Sequence, residues 1–237
     1  IPCLNGVSVT AEIKKNYDLP VYIDNDATNA AKGMYRFGAG RGSAHMIGIT
    51  LGTGVGGGII LHGQVHRGII NYAGEIGHIT YIPDGMSCTC GKRGCLEAYA
   101  SATAIVRSAQ SILKRQIPSR LQKYPPDEIT ARVVCDEARK GCSVSASIIQ
   151  DAGKALGVVI GGVINLLNLD RVVIGGGLAA AGEVLMEPVR LYASRHALPL
   201  AFERCEIVAG RLGNDAGLLG CAASVLMARD GTNHLSP

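Results

Sequence analysis

A chain of 237 residues that is 47% hydrophobic and 18% charged can bury a core in one large or two small domains, and its composition excludes intrinsic disorder. Its formal charge is +4, with no Trp and two Phe, and the basic residues fall in scattered pairs such as Lys92-Arg93, Lys114-Arg115 and Arg139-Lys140; without a dense cationic run or an aromatic platform, no nucleic-acid partner is expected in this segment. The longest apolar stretch, 156–169, is broken by Asn165 and Asn168 and is too short and polar for a membrane span, no signal peptide is visible, and thiols free to bind a metal suit a reducing cytoplasm.

The chain opens at Ile1 without a methionine, in what reads as the middle of a domain, so a fragment or processed piece is expected. Residues 9–17 have the pattern of a short helix, Pro20 ends it, and Val21-Tyr22-Ile23 reads as a brief buried strand. Asp24-Asn25-Asp26 then stands at the strand's end, before an Ala-rich helix that starts near Ala27, where open α/β sheets bind ligands. On pattern alone Asp26 is either a helix N-cap or a functional carboxylate. After a glycine-broken turn at 37–42, residues 45–51 form a central strand leading into Gly52-Thr53-Gly54-Val55-Gly56-Gly57-Gly58 and a second strand, Ile59-Ile60-Leu61, turned back at His62-Gly63. This glycine loop is either a structural hairpin or an anion-binding concavity of backbone N–H groups. It lacks the Gly-Lys-Ser or Gly-Lys-Thr sequel of a Walker motif.

The stretch GEIGHITYIPDGMSCTCGKRGCLE, from Gly74 to Glu97, offers His78, Cys88, Cys90 and Cys95 with Glu75 and Glu97 just outside them. One His and three Cys make a closed tetrahedral set for structural zinc, with no open position for water. Buried thiols, or a disulfide with one spare Cys, are the competing readings. Cys3, Cys135, Cys142, Cys205 and Cys221 lie among apolar or helical segments and read as packing residues.

Helical spacing then covers 96–113, and the proline-bearing stretch 116–129 reads as an exposed connection of variable conformation. A short helix over 131–139 ends at Gly141. A long one over 143–169 carries Gly153, Gly157, Gly161 and Gly162, a spacing that admits close backbone approach by a neighbour. The strand Arg171-Val172-Val173-Ile174 feeds Gly175-Gly176-Gly177-Leu178 and a helix over 182–195, an arrangement equally suited to a nucleotide edge or a plain βα turn. A strand at Glu206-Ile207-Val208 and a helix over 215–227 close the chain.

The GEIGH string followed by C-x-C-G-x-x-G-C-x-E resembles the zinc-loop signature of the ROK family of bacterial sugar kinases and sugar-responsive repressors. The resemblance runs from Leu19 onward and implies an α/β, actin/hexokinase-like (ribonuclease H-like) ATPase fold, mostly the larger lobe with an incomplete small lobe. Residues 1–24 would be a remnant of the small lobe, 25–212 the large lobe with the zinc loop 78–95, and 213–237 a helix returning to the hinge, with a tail. It implies Asp26 as general base toward a sugar hydroxyl, and Asn25, Gly54, Glu75, His78 and Glu97 at the sugar. His78 would meet sugar with one ring nitrogen and zinc with the other. Thr53, Gly54, Gly56 and Gly57 resemble the second phosphate motif, and Gly176 and Gly177 the adenosine motif. The implied reaction moves phosphate from ATP, with Mg2+, to the 6-hydroxyl of a hexose, glucose first and N-acetylmannosamine second. The implied setting is cytoplasmic glycolysis, the full-length parent being a dimer or tetramer. An Asp-x-Gly-x-Thr first phosphate motif is missing from these residues, so weak ATP binding by this stretch alone is expected. A sugar-sensing repressor is the alternative.

Overall fold

A computed structural model describes residues 6–229. Its five strands form one mixed sheet in the order β3-β2-β1-β4-β5: β1 His45–Leu51, β2 Val55–Leu61, β3 Gln64–His66, β4 Arg171–Gly175 and β5 Glu206–Ala209. β1 and β2 are an antiparallel hairpin, with Leu51 opposite Val55, while β4 runs parallel to β1 and β5 parallel to β4. Parallel pairing needs long crossovers. Between β4 and β5 the helix α7 Glu183–His196 supplies one. Strands β1 and β4 are buried almost throughout, which is why both read as apolar runs without alternation.

The period of two along β1 divides the core. Ile47, Ile49 and Leu51 join a large cluster with α4 Ala102–Lys114, α5 Ala131–Arg139, α6 Ser143–Leu167 and α7. Met46 instead joins Ala30 and Met34 of α2 Asp26–Phe37 and Ala216 of α9 Asp215–Arg229. The result is a helix layer on each side of the sheet, with α9 packed outside α2. The match to the expected α/β architecture is close for the strands at 45–51 and 171–174 and for the helix at 131–139.

Several expectations are corrected. Val21-Tyr22-Ile23 forms no strand and pairs with none among the described residues, and Ile23 is 50% exposed; a short apolar run after a proline, which has no N–H to donate, does not fix a ladder. Gly56, Gly57 and Gly58 lie inside β2, leaving Gly52-Thr53-Gly54 as the turn. The helix at 96–113 is two, α3 Glu97–Ala100 and α4, because the Ser101 hydroxyl accepts from Ala104 N at 3.1 Å as an N-cap and Ala102 N donates to Gly52 O at 2.8 Å. Apolar spacing carries across that break and conceals it. Cys135, Cys142 and Cys205 are buried as expected, Cys221 is exposed on α9, and Cys3 lies outside the described residues. The short helix α1 Val9–Lys14, the helix α8 Pro199–Glu203 and strand β3 complete the α-helices and strands among the described residues, beside 3-10 turns at Ile76–His78, Arg120–Lys123 and Gly177–Ala181.

The connection at 116–129 is anchored, contrary to its proline content. Leu121 is fully buried, and the buried carboxylate of Glu137 accepts from the Tyr124 hydroxyl at 2.9 Å while meeting Lys123 Nζ at 2.9 Å and Lys140 Nζ at 3.1 Å. These donors, Lys123 first, hold the Glu137 carboxyl at about 2, against an ordinary 4.5. Because the folded value lies below the unfolded one, the stabilisation is complete above pH ~4.5 and disappears as pH falls through the folded value. Glu137→Gln is expected to cost about 1–3 kcal/mol at pH 7. Thermal melts from pH 7 down to pH 3 should show its gap to wild type narrowing only below pH ~4.5.

Helix α6 is long and apolar enough to cross a membrane by length and composition, yet two thirds of its apolar window is buried within the fold. Its glycines explain how. A Cβ on Gly157 would stand 2.5 Å from Val189 O, and one on Gly153 2.8 Å from Leu185 O, so α7 rests directly on the α6 backbone. A Cβ on Gly162 would meet nothing within 4 Å. Gly157→Ala is therefore expected to destabilise by about 1–3 kcal/mol, and Gly162→Ala to stabilise by up to about 1 kcal/mol, both read from chemical denaturation.

Candidate active site

Helix α2 starts where its cap lies, and the cap is Asn25: its Oδ1 accepts from Thr28 N at 3.0 Å. Asp26 is then the first helical residue, its Oδ1 accepting from Ala27 N at 2.7 Å, so the N-cap reading of Asp26 is corrected. With Asn25 Oδ1 committed, its amide NH2 is what remains for a ligand.

Asn25 and Asp26 line one wall of a cavity of about 480 Å³. Its other walls bring together all the remaining residues expected at sugar and nucleotide, namely Thr53, Gly54, Gly56, Gly57, Glu75, His78, Glu97, Gly176 and Gly177. Five stretches of chain, at 25–26, 53–57, 75–78, 97 and 176–177, thus converge on one space. Gly56 also has a packing reason to be glycine: a Cβ there would lie 2.6 Å from Ala27 Cβ, beside the start of α2.

Glu97 opens α3 and ties the rim together. Its Oε2 accepts from Val55 N at 3.1 Å and its Oε1 from Thr89 Oγ1 at 3.0 Å, and Oε2 packs closely on Gly54, so that a side chain there would have to displace the carboxylate. His78 ends the 3-10 turn Ile76–His78. Its Nε2 lies 3.9 Å from Glu75 Oε2, on the cavity side, and its Nδ1 lies 3.7 Å from Cys88 Sγ.

The donor atoms of His78, Cys88, Cys90 and Cys95 all lie within 4.8 Å of one another. Cys90 Sγ and Cys95 Sγ are 3.7 Å apart, far beyond a disulfide. A tetrahedron with metal–sulfur bonds of about 2.3 Å has edges of roughly 3.8 Å. The set therefore fits a closed thiophilic cation site and can hold a metal. The knuckle that makes it is pinned by Cys88 N donating to Lys92 O at 2.9 Å and Gly94 N to Met86 O at 2.8 Å. Gly94 has φ +78° with Ile82 O pressed against it, a position only glycine fills. Burial pushes the Cys95 thiol up to about 12, while a backbone hydrogen bond from Lys92 draws the Cys90 thiol down. A cation entering the cluster must displace the Cys95 proton.

Residues at the start of α9, Gly213, Asn214, Ala216 and Gly217, also line the cavity and were not expected there. A signal existed: Asn214-Asp215-Ala216 repeats the Asn25-Asp26-Ala27 string, each at a helix start. A second cavity of about 680 Å³ adjoins the first, sharing Leu51, Gly52, Thr53 and Gly177 with it. Ala131, Leu178, Ala180 and Ala181 make it largely apolar, with Thr130, Arg132, Cys135 and Arg139 also on its walls.

A sequence profile of the ROK family matches residues 2–228. A glucokinase of Thermotoga maritima is 39% identical over 97% of this chain and 73% of its own length. The structure of a ROK family glucokinase from Streptomyces griseus, in complex with glucose and AMPPNP, superposes with TM-score 0.81 at 35% identity, over 90% of this chain and 70% of that one. A ROK family transcriptional regulator, a homologue of the E. coli MLC protein, superposes with TM-score 0.85 at 32% identity. The match covers 91% of this chain but spans only about half, 54%, of that regulator.

Proposed function

The chain belongs to the ROK family, and from that premise we propose that it forms the sugar site and catalytic carboxylate of an ATP-dependent hexokinase acting on the 6-hydroxyl of glucose. The observation that carries this reading is the convergence of Asn25, Asp26, Glu75, His78 and Glu97 on one cavity, with His78 turned to the thiol cluster through Nδ1 and to Glu75 through Nε2. Glu75, His78 and Glu97 offer acceptors and a ring nitrogen to sugar hydroxyls, and Asn25 its amide. Asp26 takes the proton from the 6-hydroxyl as that oxygen attacks the terminal phosphate, an assistance worth typically 10²- to 10⁴-fold. Most of the remaining acceleration in phosphoryl transfer comes from positioning and charge stabilisation.

The Gly52-Thr53-Gly54 turn and Gly176-Gly177, where Gly176 has φ +85° and abuts Leu51 O, would hold the phosphates of ATP, with Mg2+ supplying charge neutralisation. The adjoining apolar cavity is of a size and lining suited to the base. Zinc is the cation assigned to His78, Cys88, Cys90 and Cys95. With all four positions filled it fixes the tautomer and aim of His78 rather than activating water.

The regulator's similarity supports a second reading, a sugar-sensing repressor, and N-acetylmannosamine is the second sugar. ADP release with a panel of hexoses, run on the whole protein, separates them. Turnover on glucose is expected, with Asp26→Asn lowering kcat by about 10²- to 10⁴-fold while calorimetric glucose affinity stays within a few-fold. Sugar binding with no turnover on any hexose would favour the repressor. Elemental analysis is expected to find one zinc per chain, lost in Cys90→Ser and Cys95→Ser variants, whose glucose affinity should fall about 10- to 100-fold. A zinc-free wild type that binds glucose normally would remove the metal from the site.

A further inference from the structure

Asp24 neither lines the cavity nor belongs to the thiol cluster, yet it touches both α2, whose first residue is Asp26, and Arg67, at the head of the segment leading to Glu75. Lys32, inside α2, has a fully buried side chain whose Nζ meets Asp24 Oδ2 at 2.6 Å and donates to Ser224 Oγ of α9 at 2.5 Å. The other Asp24 oxygen, Oδ1, accepts from Arg67 Nη1 at 2.8 Å and from Asn25 N at 2.9 Å. Ser224 Oγ in turn donates to Asn29 Oδ1 at 3.2 Å, back on α2. Burial would raise the Asp24 carboxyl, but hydrogen bonds from Arg67 and Lys32 hold it below its ordinary value, so it stays charged between two cations.

The geometry matters because of what each cation belongs to. Lys32 stands on the helix whose first residue is Asp26. Arg67 opens the loop that leads to Glu75, a loop closed on itself by Ala73 N donating to Arg67 O at 3.1 Å. A buried ammonium without its counter-ion is strongly unfavourable, so Asp24 cannot leave Lys32 cheaply. Arg67 is the more accessible half of the clamp, with 14% of its side chain exposed.

We propose that Arg67 is a positioning residue: by holding Asp24, already fixed on Lys32, it sets the loop bearing Glu75 and His78 at a constant offset from Asp26. This rests on the reading of Asp26 as general base and of Glu75 and His78 as sugar ligands. Sugar bound by the loop is then presented to a carboxylate on a different element, and the Arg67–Asp24 contact ties the chain two residues before Asp26 to the head of that loop. A shift of about 1 Å between reacting groups can cost on the order of 10²-fold in rate.

The test uses the whole protein with Arg67→Met, which breaks the tie while leaving the Lys32–Asp24 pair in place, and Arg67→Lys, which keeps a cation on Asp24. Arg67→Met is expected to lower kcat by about 10- to 100-fold and to weaken calorimetric glucose affinity several-fold, with Arg67→Lys recovering most of both. Circular dichroism and active-site titration normalise each rate to folded protein. Wild-type kcat and glucose affinity in Arg67→Met, or losses that vanish on that normalisation, would overturn the proposal. So would an Arg67→Lys variant as impaired as Arg67→Met. If wild type binds glucose but turns over no hexose, the kinase reading fails separately, and the clamp is judged on glucose affinity alone: weakened in Arg67→Met and restored in Arg67→Lys, it stands.

Discussion

Helix α2 lies against the sheet and against α9 at once because glycines and alanines stand at its closest approaches to both. Gly48 of β1 and Gly58 of β2 leave room for Ala31, whose Cβ would stand 2.9 Å and 2.6 Å from a Cβ at those positions. On the outer side Gly33 packs on Ala216 O, and Gly220 on Asn29 O. Close packing of this kind has low compressibility and transmits small displacements. The orientation of α2 is therefore fixed from two sides, and with it the direction in which Asn25 and Asp26 enter the cavity.

The same constraint recasts the glycine-rich hairpin. Gly56 and Gly58 spare α2 a collision, and Gly57 spares the segment at 74–76 one on the opposite face, since a Cβ there would lie 2.6 Å from Gly74 O. Structural necessity and closeness to the cavity coincide at Gly56 and Gly57. Close backbone approach by a helix on one side and open space on the other both call for a missing side chain.

Glu97 and His78 link the thiol cluster to the cavity wall. Glu97 joins the hairpin turn to the thiol knuckle through Val55 N and Thr89 Oγ1, while His78 spans from Cys88 to Glu75. A cation at the cluster would stiffen the inner ends of both side chains, leaving their outer ends aimed at the cavity. On the other wall, two buried charges do the corresponding work: Asp24 and Lys32 lock the turn before α2 onto α9.

Local pattern determined a good deal by itself. The strands at 45–51 and 171–174, the helix at 131–139 and the four metal-ligand candidates were legible because burial on both faces, helical periodicity and ligand spacing are each written within about twenty residues. The roles expected of Asp26, Glu75, His78 and Glu97 came from the family resemblance, since no spacing implied them. Tertiary structure alone decided what depends on partners distant in sequence. Val21-Tyr22-Ile23 found no strand to pair with among the described residues; Ser101 broke a helix to let Ala102 reach Gly52; Leu121 and Glu137 pinned a stretch that prolines had made look loose. The Asp24–Lys32–Arg67 clamp was likewise hidden, because a lysine in a helix ordinarily means solvent. Only the fold, by enclosing its ammonium between a carboxylate and a serine from opposite ends of the chain, makes that charge bearable in the core.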